Sequence, residues 1–382
     1  MLPGRHLLAV LLAVALGVGG GITVLSLPPA RASAAGPVQR AAAPVGSCAR
    51  PAPQSAAGYQ AMFDGKDDET WAGGDQAASV ALPGGRILWM FGDSVRGERL
   101  TTGARAPGSR FVHNAMLVQT GGCLVAVPAA DEVIPSRADG QWYWPQSAVV
   151  LGDRLVVFCA RVRRTGPGPF GFRTTGVDAA VFALDGSLPR FERVVGTPSS
   201  LSPESAYQYG AAVVPIGSWL YLYGSRQVRG AFGRAVAVAR VRPAALLRSA
   251  GWQYWDGSRW SSRAAAAAHL VAGATDGWSS AFSVWRGPDG TLRSLTKEHD
   301  VFGRAVVTGR ASSPTRPFTR RVAFDAPSGQ RPGELRYNAL AHPEVRLPGG
   351  LLLVTVCRNN RDLRLVWADT RLYRPQFAAV RA

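Results

Sequence analysis

An all-β fold is predicted by three observations. Short apolar runs recur five times in one strand, turn, strand order, each turn carries a hairpin signal containing Gly, Pro or Asp, and helical periodicity is almost absent. The paired runs are Ala77–Leu82 before Leu88–Phe91, Ser147–Leu151 before Leu155–Phe158, and Ala211–Val214 before Leu220–Tyr223. The fourth pair is Ala281–Trp285 before Leu292–Leu295, and the fifth is Glu344–Leu347 before Leu351–Val354. Between them stand Pro83-Gly84-Gly85, Gly152-Asp153, Ile216-Gly217-Ser218, Pro288-Asp289-Gly290 and Pro348-Gly349-Gly350. The second runs, anchored at Leu88, Leu155, Leu220, Leu292 and Leu353, follow one another at 67, 65, 72 and 61 residues. That interval holds four strands, and third strands are legible at Asn114–Val118, Asp178–Phe182, Arg234–Val238, Arg304–Val307 and Gln376–Val380. The architecture expected is a five-bladed β-propeller over residues 59–382, since a β-sandwich does not explain five copies of one pattern. Helix is expected only at Pro243–Ser249 and Ala264–Ala268, both between strands.

Upstream of the repeats, Arg5 precedes an apolar run from Leu7 to about Leu27, followed by Pro28-Pro29 and the small residues Ala30 to Ala34. This reads as a signal peptide over 1–34, and hence as a secreted, extracellular chain. The run is long enough to span a bilayer, so a membrane association follows only if the peptide stays uncleaved. A lipidation site at Val45-Gly46-Ser47-Cys48 lies too far beyond the apolar region to serve. Residues 35–58, rich in Ala, Pro, Gly and Ser, read as a flexible linker.

The formal charge is +18, and loss of residues 1–34 removes two arginines and no acid, leaving +16. Lys occurs only at Lys66 and Lys297. Arg-rich, Lys-poor composition is what high-GC, actinobacterial-type coding produces, and the arginines are scattered. No basic stripe or nucleic-acid motif is present, so nucleic acid is not the expected partner, whereas an anionic wall polymer is compatible. A monomer is expected.

Four cysteines in an exported chain allow three connectivities for two bridges. Cys159 and Cys357 stand at equivalent places in second strands of the second and fifth repeats, which are not neighbours in a ring of five, and a disulfide needs Cα atoms about 4.4–6.8 Å apart. Cys48 with Cys123 is the pairing expected.

Blade geometry gathers polar residues at one mouth of the axis, where first strands begin, second strands end and third strands begin. The strand starts offer Asp75, Tyr143, Trp144 beside Trp142, Tyr209, Trp278, His342 and Glu344. Second strands end near Asp93, Arg161, Arg226, Glu298 and Arg358, and third strands open at His113, Asn114 and Asp178. Rings offer flat faces to sugar C–H surfaces, and Arg, Asn and His offer directional hydrogen bonds to hydroxyls, so the expected partner is a polysaccharide or cell-wall glycan. Glycosidic cleavage commonly uses two carboxylates. Asp75 and Asp93 lie on neighbouring strands at the same end, and adjacent strands are roughly 4.8 Å apart. They are the leading catalytic candidates, with Glu298, Glu344 and Glu204 as further acids; His299 and His342 stand near enough in sequence to tune the first two. No Cys/His cluster has transition-metal spacing and no cofactor is expected, although oxygen ligands from several blades leave an axial Ca²⁺ open.

Two other motifs are weaker. Trp255-Asp256-Gly257-Ser258-Arg259-Trp260 resembles the Asp-Gly turn of sialidase propellers but occurs once and reads as a β-turn. Gly92-Asp93-Ser94 is similar to the nucleophile block of some lipases, but no helix follows the Ser.

The segments Gly74-Asp75, Leu88 to Ser94, His113-Asn114 and Trp142 to Pro145 resemble secreted bacterial five-bladed propellers catalogued as domains of unknown function. Those are similar to endo-D-arabinanase propellers and, more distantly, to the arabinanase, xylosidase and invertase glycosidases. The resemblance implies a catalytic carboxylate at the start of the first blade, which is Asp75 here, and a Gly-Asp-Ser signature at Gly92, Asp93 and Ser94. Asp75-Gln76 departs from the Asp-Pro pair of the arabinanases, and no Glu stands out as the proton donor. Two functions follow as expectations: a secreted glycoside hydrolase acting on a polysaccharide, for which the resemblance points to an arabinose-containing one, or a carbohydrate-binding, wall-associated propeller without chemistry.

Overall fold

A computed structural model describes residues 48–102, 105–168 and 171–381. The expected signal peptide and the expected linker up to residue 47 lie outside the described residues. The first element among the described residues is α1 (Ala56–Asp64), capped by the Ser55 hydroxyl, which accepts from the Gly58 amide. The linker boundary expected at 58 thus falls inside a helix.

Among the described residues twenty-three strands follow, in six antiparallel sheets. β1 (Gly73–Gly74), β4 (Ser94–Arg96) and β5 (Arg110–Val112) form a small sheet of three. Below it β2 (Ala78–Leu82), β3 (Arg86–Phe91), β6 (Ala115–Thr120) and β7 (Cys123–Ala126) make a sheet of four. The next four-stranded sheet is β8 (Trp142–Leu151), β9 (Arg154–Arg164), β10 (Phe172–Ala183) and β11 (Arg190–Gly196). A five-stranded sheet has β12 (Gln208–Ile216), β13 (Trp219–Gln227), β14 (Arg234–Val241), β15 (Gln253–Trp255) and β16 (Trp260–Ser261). Then come β17 (Ser283–Arg286), β18 (Leu292–Lys297), β19 (Ala305–Ala311) and β20 (Arg321–Asp325). The last sheet is β21 (Glu334–Arg346), β22 (Leu352–Asn360) and β23 (Pro375–Val380), with α2 (Leu363–Ala368) between the final two strands.

First strands touch in a closed cycle. β2 packs on β8, β8 on β12, β12 on β17, β17 on β21, and β21 returns to β2. Strands buried on both faces place apolar side chains between successive sheets, and this yields a separate core at each junction. Met90, Met116, Leu155 and Phe182 fill the first, Phe158, Val177, Tyr209 and Leu222 the second, and Tyr223, Val236, Trp278 and Phe282 the third. Leu295, Val306, Ala339 and Val354 fill the fourth. Trp89, Phe91, Val345 and Leu353 fill the fifth, where Phe63 of α1 stacks edge-on against Trp71 and Trp89.

The segment after α1 and the last strand are locked together at that junction. Arg374, buried before β23, donates from Nε to the Ala72 carbonyl (2.9 Å), from Nη1 to Asp64 O (2.7 Å) and from Nη2 to Lys66 O (3.1 Å), with Asp67 3.6 Å away. Cys48 is bonded to Cys123, as expected, with Cα atoms 5.9 Å apart, while Cys159 and Cys357 are buried free thiols.

Helix departs from expectation. Pro243–Ala245 and Ala264–Ala266 form single 3₁₀ turns, and the two α-helices lie elsewhere. Among the described residues no helix is long and apolar enough to cross a membrane.

Candidate active site

A strand break at one level creates the site. Gly73-Gly74 pairs with Ser94-Val95, and Ala78 pairs with Met90, so the segment Asp75–Ala77 is released from the ladder between β1 and β2. Gly92-Asp93 interrupts β3 and β4, and His113-Asn114 interrupts β5 and β6 at the same height. Gln76 (φ 70°) and Ala77 (φ 53°) turn through the left-handed region that non-glycine residues avoid. The turn is held by the Ala77 amide donating to Asp75 O (2.9 Å), the Gly92 amide donating to the same carbonyl (3.1 Å), and the Asp75 amide donating to Asp93 O (3.2 Å). A side chain at Gly92 would strike the Asp75 carboxylate, since a Cβ there would lie 2.7 Å from Oδ1. The cost of this backbone is repaid by presenting Asp75, Asp93 and His113 side by side into a cavity of about 1150 Å³.

The carboxylates have different surroundings. Asp75 Oδ2 accepts from the Tyr337 hydroxyl (2.8 Å), and the Tyr373 hydroxyl is a second donor. Removal from water, then the charge of Asp93, push the Asp75 carboxyl up to about 7 against the pull of those two phenols. Asp93 Oδ1 accepts from Trp144 Nε1 (2.7 Å), and His113 Nδ1 stands 3.0 Å from the same oxygen. The His113 ring stacks on Trp142 at 4.4 Å, and Trp144 meets Phe172 edge-on at 4.8 Å. From the neighbouring strand β21, Asn338 (φ 46°) donates to Gln76 Oε1 (2.9 Å), so two left-handed residues brace each other between the first and last repeats. Glu204 also lines the cavity, accepting from the Thr174 amide (3.2 Å) and hydroxyl (3.0 Å) with Arg234 3.4 Å away.

Asp75, Asp93, His113, Trp142 and Trp144 are thus brought together where the sequence puts them. Of the other expected residues Glu204 also lines the cavity, and the rest lie elsewhere. Glu298 is clamped by Arg320 through two hydrogen bonds of 2.5 and 2.6 Å. His342 and Glu344 are corrected in position, because β21 begins at Glu334 and these residues sit toward its far end, beside the turn to β22. There the buried His342 ring contacts Ser79 Oγ (2.5 Å) and Thr355 Oγ1 (2.9 Å), and burial lowers it to about 3 while raising Glu344 to about 7. Asn114 is buried and holds the following loop, donating to Ile134 O (2.9 Å) and Tyr143 O (3.2 Å). Arg161 and Asp178 pair with each other at 3.4 Å below the mouth, and Tyr143 donates to Asp178 (3.1 Å). Tyr209 and Trp278 belong to cores between sheets, Arg226 covers the Tyr207 ring at 5.3 Å, and Arg358 donates to the Arg371 carbonyl. The Trp255–Trp260 segment is a β15–β16 hairpin in which Asp256 accepts from the Ser258 amide (2.9 Å).

Tyr337, Asn338, Tyr373, Gln146 and Phe172 line the cavity without having been singled out from the sequence. For Tyr337 and Asn338 the signal was obscured by the misplaced start of β21. Among the described residues no group of three or more His, Cys, Asp or Glu side chains is arranged to hold a metal ion.

Residues 57–382 match a family model described as a domain of unknown function, DUF5005. The chain belongs to this family. No curated protein matches it. Among solved structures, a provisionally named hydrolase from Bacteroides ovatus shares 22% identity at TM-score 0.67, covering 85% of this chain and 89% of its own, which establishes a common fold. Lower similarity links DUF5005 here to the endo-arabinase of Bacteroides thetaiotaomicron, with 10% identity, TM-score 0.46, and 83% and 96% of the two chains covered. A GH43 β-xylosidase/α-arabinofuranosidase from a compost metagenome shows 13% identity, TM-score 0.47, and coverage of 80% and 91%.

Proposed function

We propose that this DUF5005 chain is an exported glycoside hydrolase built as a five-bladed β-propeller, the β1–β4–β5 sheet being the upper half of its first blade. Five inter-sheet cores that close on themselves support that count. The single observation that carries the activity is the Asp75–Asp93 pair, two carboxylates of unequal environment at the floor of an aromatic-lined cavity.

Asp75, raised to about 7, keeps its proton at neutral and mildly acidic pH and is the donor to the glycosidic oxygen as the C–O bond breaks. The Asp93 carboxylate, fixed by Trp144 and His113, faces the electron-poor anomeric carbon or the water that attacks it. Trp142, Trp144 and Phe172 supply ring faces for sugar C–H surfaces. Export rests on the leader sequence, and the Cys48–Cys123 bond suits an oxidising compartment.

The test is product analysis from arabinogalactan, arabinan, xylan and fructan with the wild type and the D75N and D93N variants. Release of sugars by the wild type alone supports the reading. Tight binding of a polysaccharide with no cleavage replaces it by the binding, wall-associated propeller.

A further inference from the structure

The mouth end of the fifth repeat carries more cations than its acids neutralise. Three acids stand there, and each is held by one arginine: Glu334 by Arg336 (2.9 Å), Asp362 by Arg364 (2.9 Å) and Asp369 by Arg371 (2.8 Å). Arg331, Arg358 and Arg361 are left without a carboxylate partner among the described residues. The fold brings these surplus charges to one place. β21 and β22 set Arg336 directly opposite Arg358, two like charges on one face of the sheet, which is unfavourable by itself. The turn Arg331-Pro332-Gly333 is tied to the end of β22, since Asn360 Nδ2 donates to Pro332 O (3.0 Å) and the Arg361 amide to Gly333 O (2.9 Å). Burial pulls the Arg358 guanidinium below its ordinary range; Glu334 and Asp369 oppose this, and the charges of Arg336 and Arg331 add to it. Arg358 donates to the Arg371 carbonyl, while its Nε is buried with no hydrogen-bond partner. The repeat thus keeps a charge arrangement that folding alone does not favour.

This cluster adjoins the candidate active site. Four arginines line the cavity, and three of them are engaged: Arg234 stands 3.4 Å from Glu204, Arg364 is held by Asp362, and Arg164 covers the Trp142 ring at 5.9 Å. Arg361, exposed, has neither a carboxylate nor a ring among the described residues. It follows Asn359 by two residues, and the Asn359 amide donates to the Tyr337 hydroxyl (3.2 Å), the donor to Asp75. The other acids in the lining, Asp93, Glu204 and Asp300, belong to the first, third and fourth repeats. Asp75, which Tyr337 and Tyr373 of the fifth repeat contact, holds its proton up to about pH 7. A negatively charged group beside Asp75 therefore meets cations from the fifth repeat and no acid of that repeat that lacks its own arginine.

We infer, resting on the glycoside hydrolase reading, that the substrate of this site is an anionic glycan, and that Arg331, Arg358 and Arg361 form the subsite for its carboxylate or phosphate, next to the sugar at Asp75 and Asp93. The planar fork of a guanidinium matches either oxyanion, and the bound charge relieves the repulsion between Arg336 and Arg358. Arg331 and Arg361 are exposed and free to close on the ligand, whereas Arg358 is fixed by its bond to the Arg371 carbonyl.

The experiment titrates the full chain carrying D75N, which binds without turnover, with polygalacturonate, polyglycerol phosphate and, as the neutral probe, fully methyl-esterified polygalacturonate, at about 0.15 M salt so that long-range attraction is screened. At least one of the two anionic polymers is expected to bind at least tenfold more tightly than the neutral one, and which of them does so separates carboxylate from phosphate. The added pair R331Q/R361Q is expected to reduce that gap to under twofold with an unchanged near-ultraviolet circular dichroism spectrum. The control pair R248Q/R321Q, exposed arginines outside the cavity lining, is expected to leave the gap in place. The inference is overturned if none of the polymers binds, if the neutral one binds as well as both anionic ones, or if the gap survives in R331Q/R361Q. It is also overturned if R248Q/R321Q closes the gap equally, since the net charge of the chain would then be what attracts the polymer. The hydrolase reading is judged separately, by products from the wild type: a preference that needs Arg331 and Arg361 in a chain that cleaves nothing leaves the anion subsite standing and removes the hydrolase.

Discussion

The Tyr337 hydroxyl donates to Asp75 Oδ2 at 2.8 Å, joining residues 262 positions apart and placing a neutral donor against the carboxyl that burial and Asp93 make reluctant to ionise. The bond favours the charged form, so Tyr337→Phe should raise Asp75 further. If Asp75 must be protonated to act, activity falls as pH rises through about 7, and in Y337F that alkaline limb moves up by roughly half a unit to one unit. A pH profile of kcat/KM on the cleaved polysaccharide checks this; an acid limb near 7 that moves up in Y337F, in place of the alkaline one, would assign Asp75 the opposite role.

Asp75→Asn should abolish turnover, by roughly 10²-fold or more, because the amide cannot give up a proton in acid catalysis. Its effect on stability has a sign fixed by linkage. The folded carboxyl titrates near 7 and the unfolded one near 3.8, so between those values the folded state holds a proton that the unfolded state releases. Stability contributed by this group is therefore complete below about 4 and declines as pH rises to about 7. D75N has no such loss, and should melt like the wild type at pH 4 yet be more stable at pH 8, by roughly 4 kcal/mol. Thermal melts at the two pH values decide it. Asp93→Asn should also lose turnover, and a large drop in its melting temperature would instead give Asp93 a structural part with His113.

The fold was legible because hairpin turns and apolar alternation are local signals, and each of the five expected strand pairs is present near its expected place. The fifth was placed about ten residues late. Pro343 and two register shifts, after Tyr337 and after His342, break the alternation of β21, so its upstream half did not read as strand. That error moved His342 and Glu344 to the mouth and hid Tyr337. Tyr209 and Trp278 illustrate a different limit: sequence places an aromatic at a strand start but does not say whether it turns toward the axis or into the core between sheets. Asp75, Asp93 and His113 were readable since each follows or precedes a Gly or a strand break in one small neighbourhood. Helix α1 was missed because its Ala, Gly and Gln residues carry the same composition as the linker before it.

Cys48 and Cys123 close a loop of sequence separation 75, so replacing both by Ser should cost about 2–4 kcal/mol, mainly by freeing the unfolded chain. Cys159 and Cys357 should be inert to thiol reagents in the native protein, because burial holds both thiols far above their ordinary range and out of solvent. Labelling kinetics across a denaturant series test the second point, with reaction expected only as the protein unfolds.

Arg374 offers the sharpest stability test. Its guanidinium is buried and donates to four backbone carbonyls, those of Phe63, Asp64, Lys66 and Ala72, with Asp64 and Asp67 as counter-charges at 3.7 and 3.6 Å. The carbonyls belong to the segment from α1 to β1, and the arginine immediately precedes β23, so one side chain ties the start of the described chain to its last strand. Arg374→Met keeps much of the volume but leaves these carbonyls without their donor and two carboxylates without their cation, at a cost of about 3–5 kcal/mol. Arg374→Lys should recover only part of this, because a single ammonium cannot reproduce the planar fork that reaches four carbonyls. Chemical denaturation of the three proteins gives the order wild type, Lys, Met; equal stability of all three would mean that the Phe63 and Trp71 packing closes this junction without the arginine.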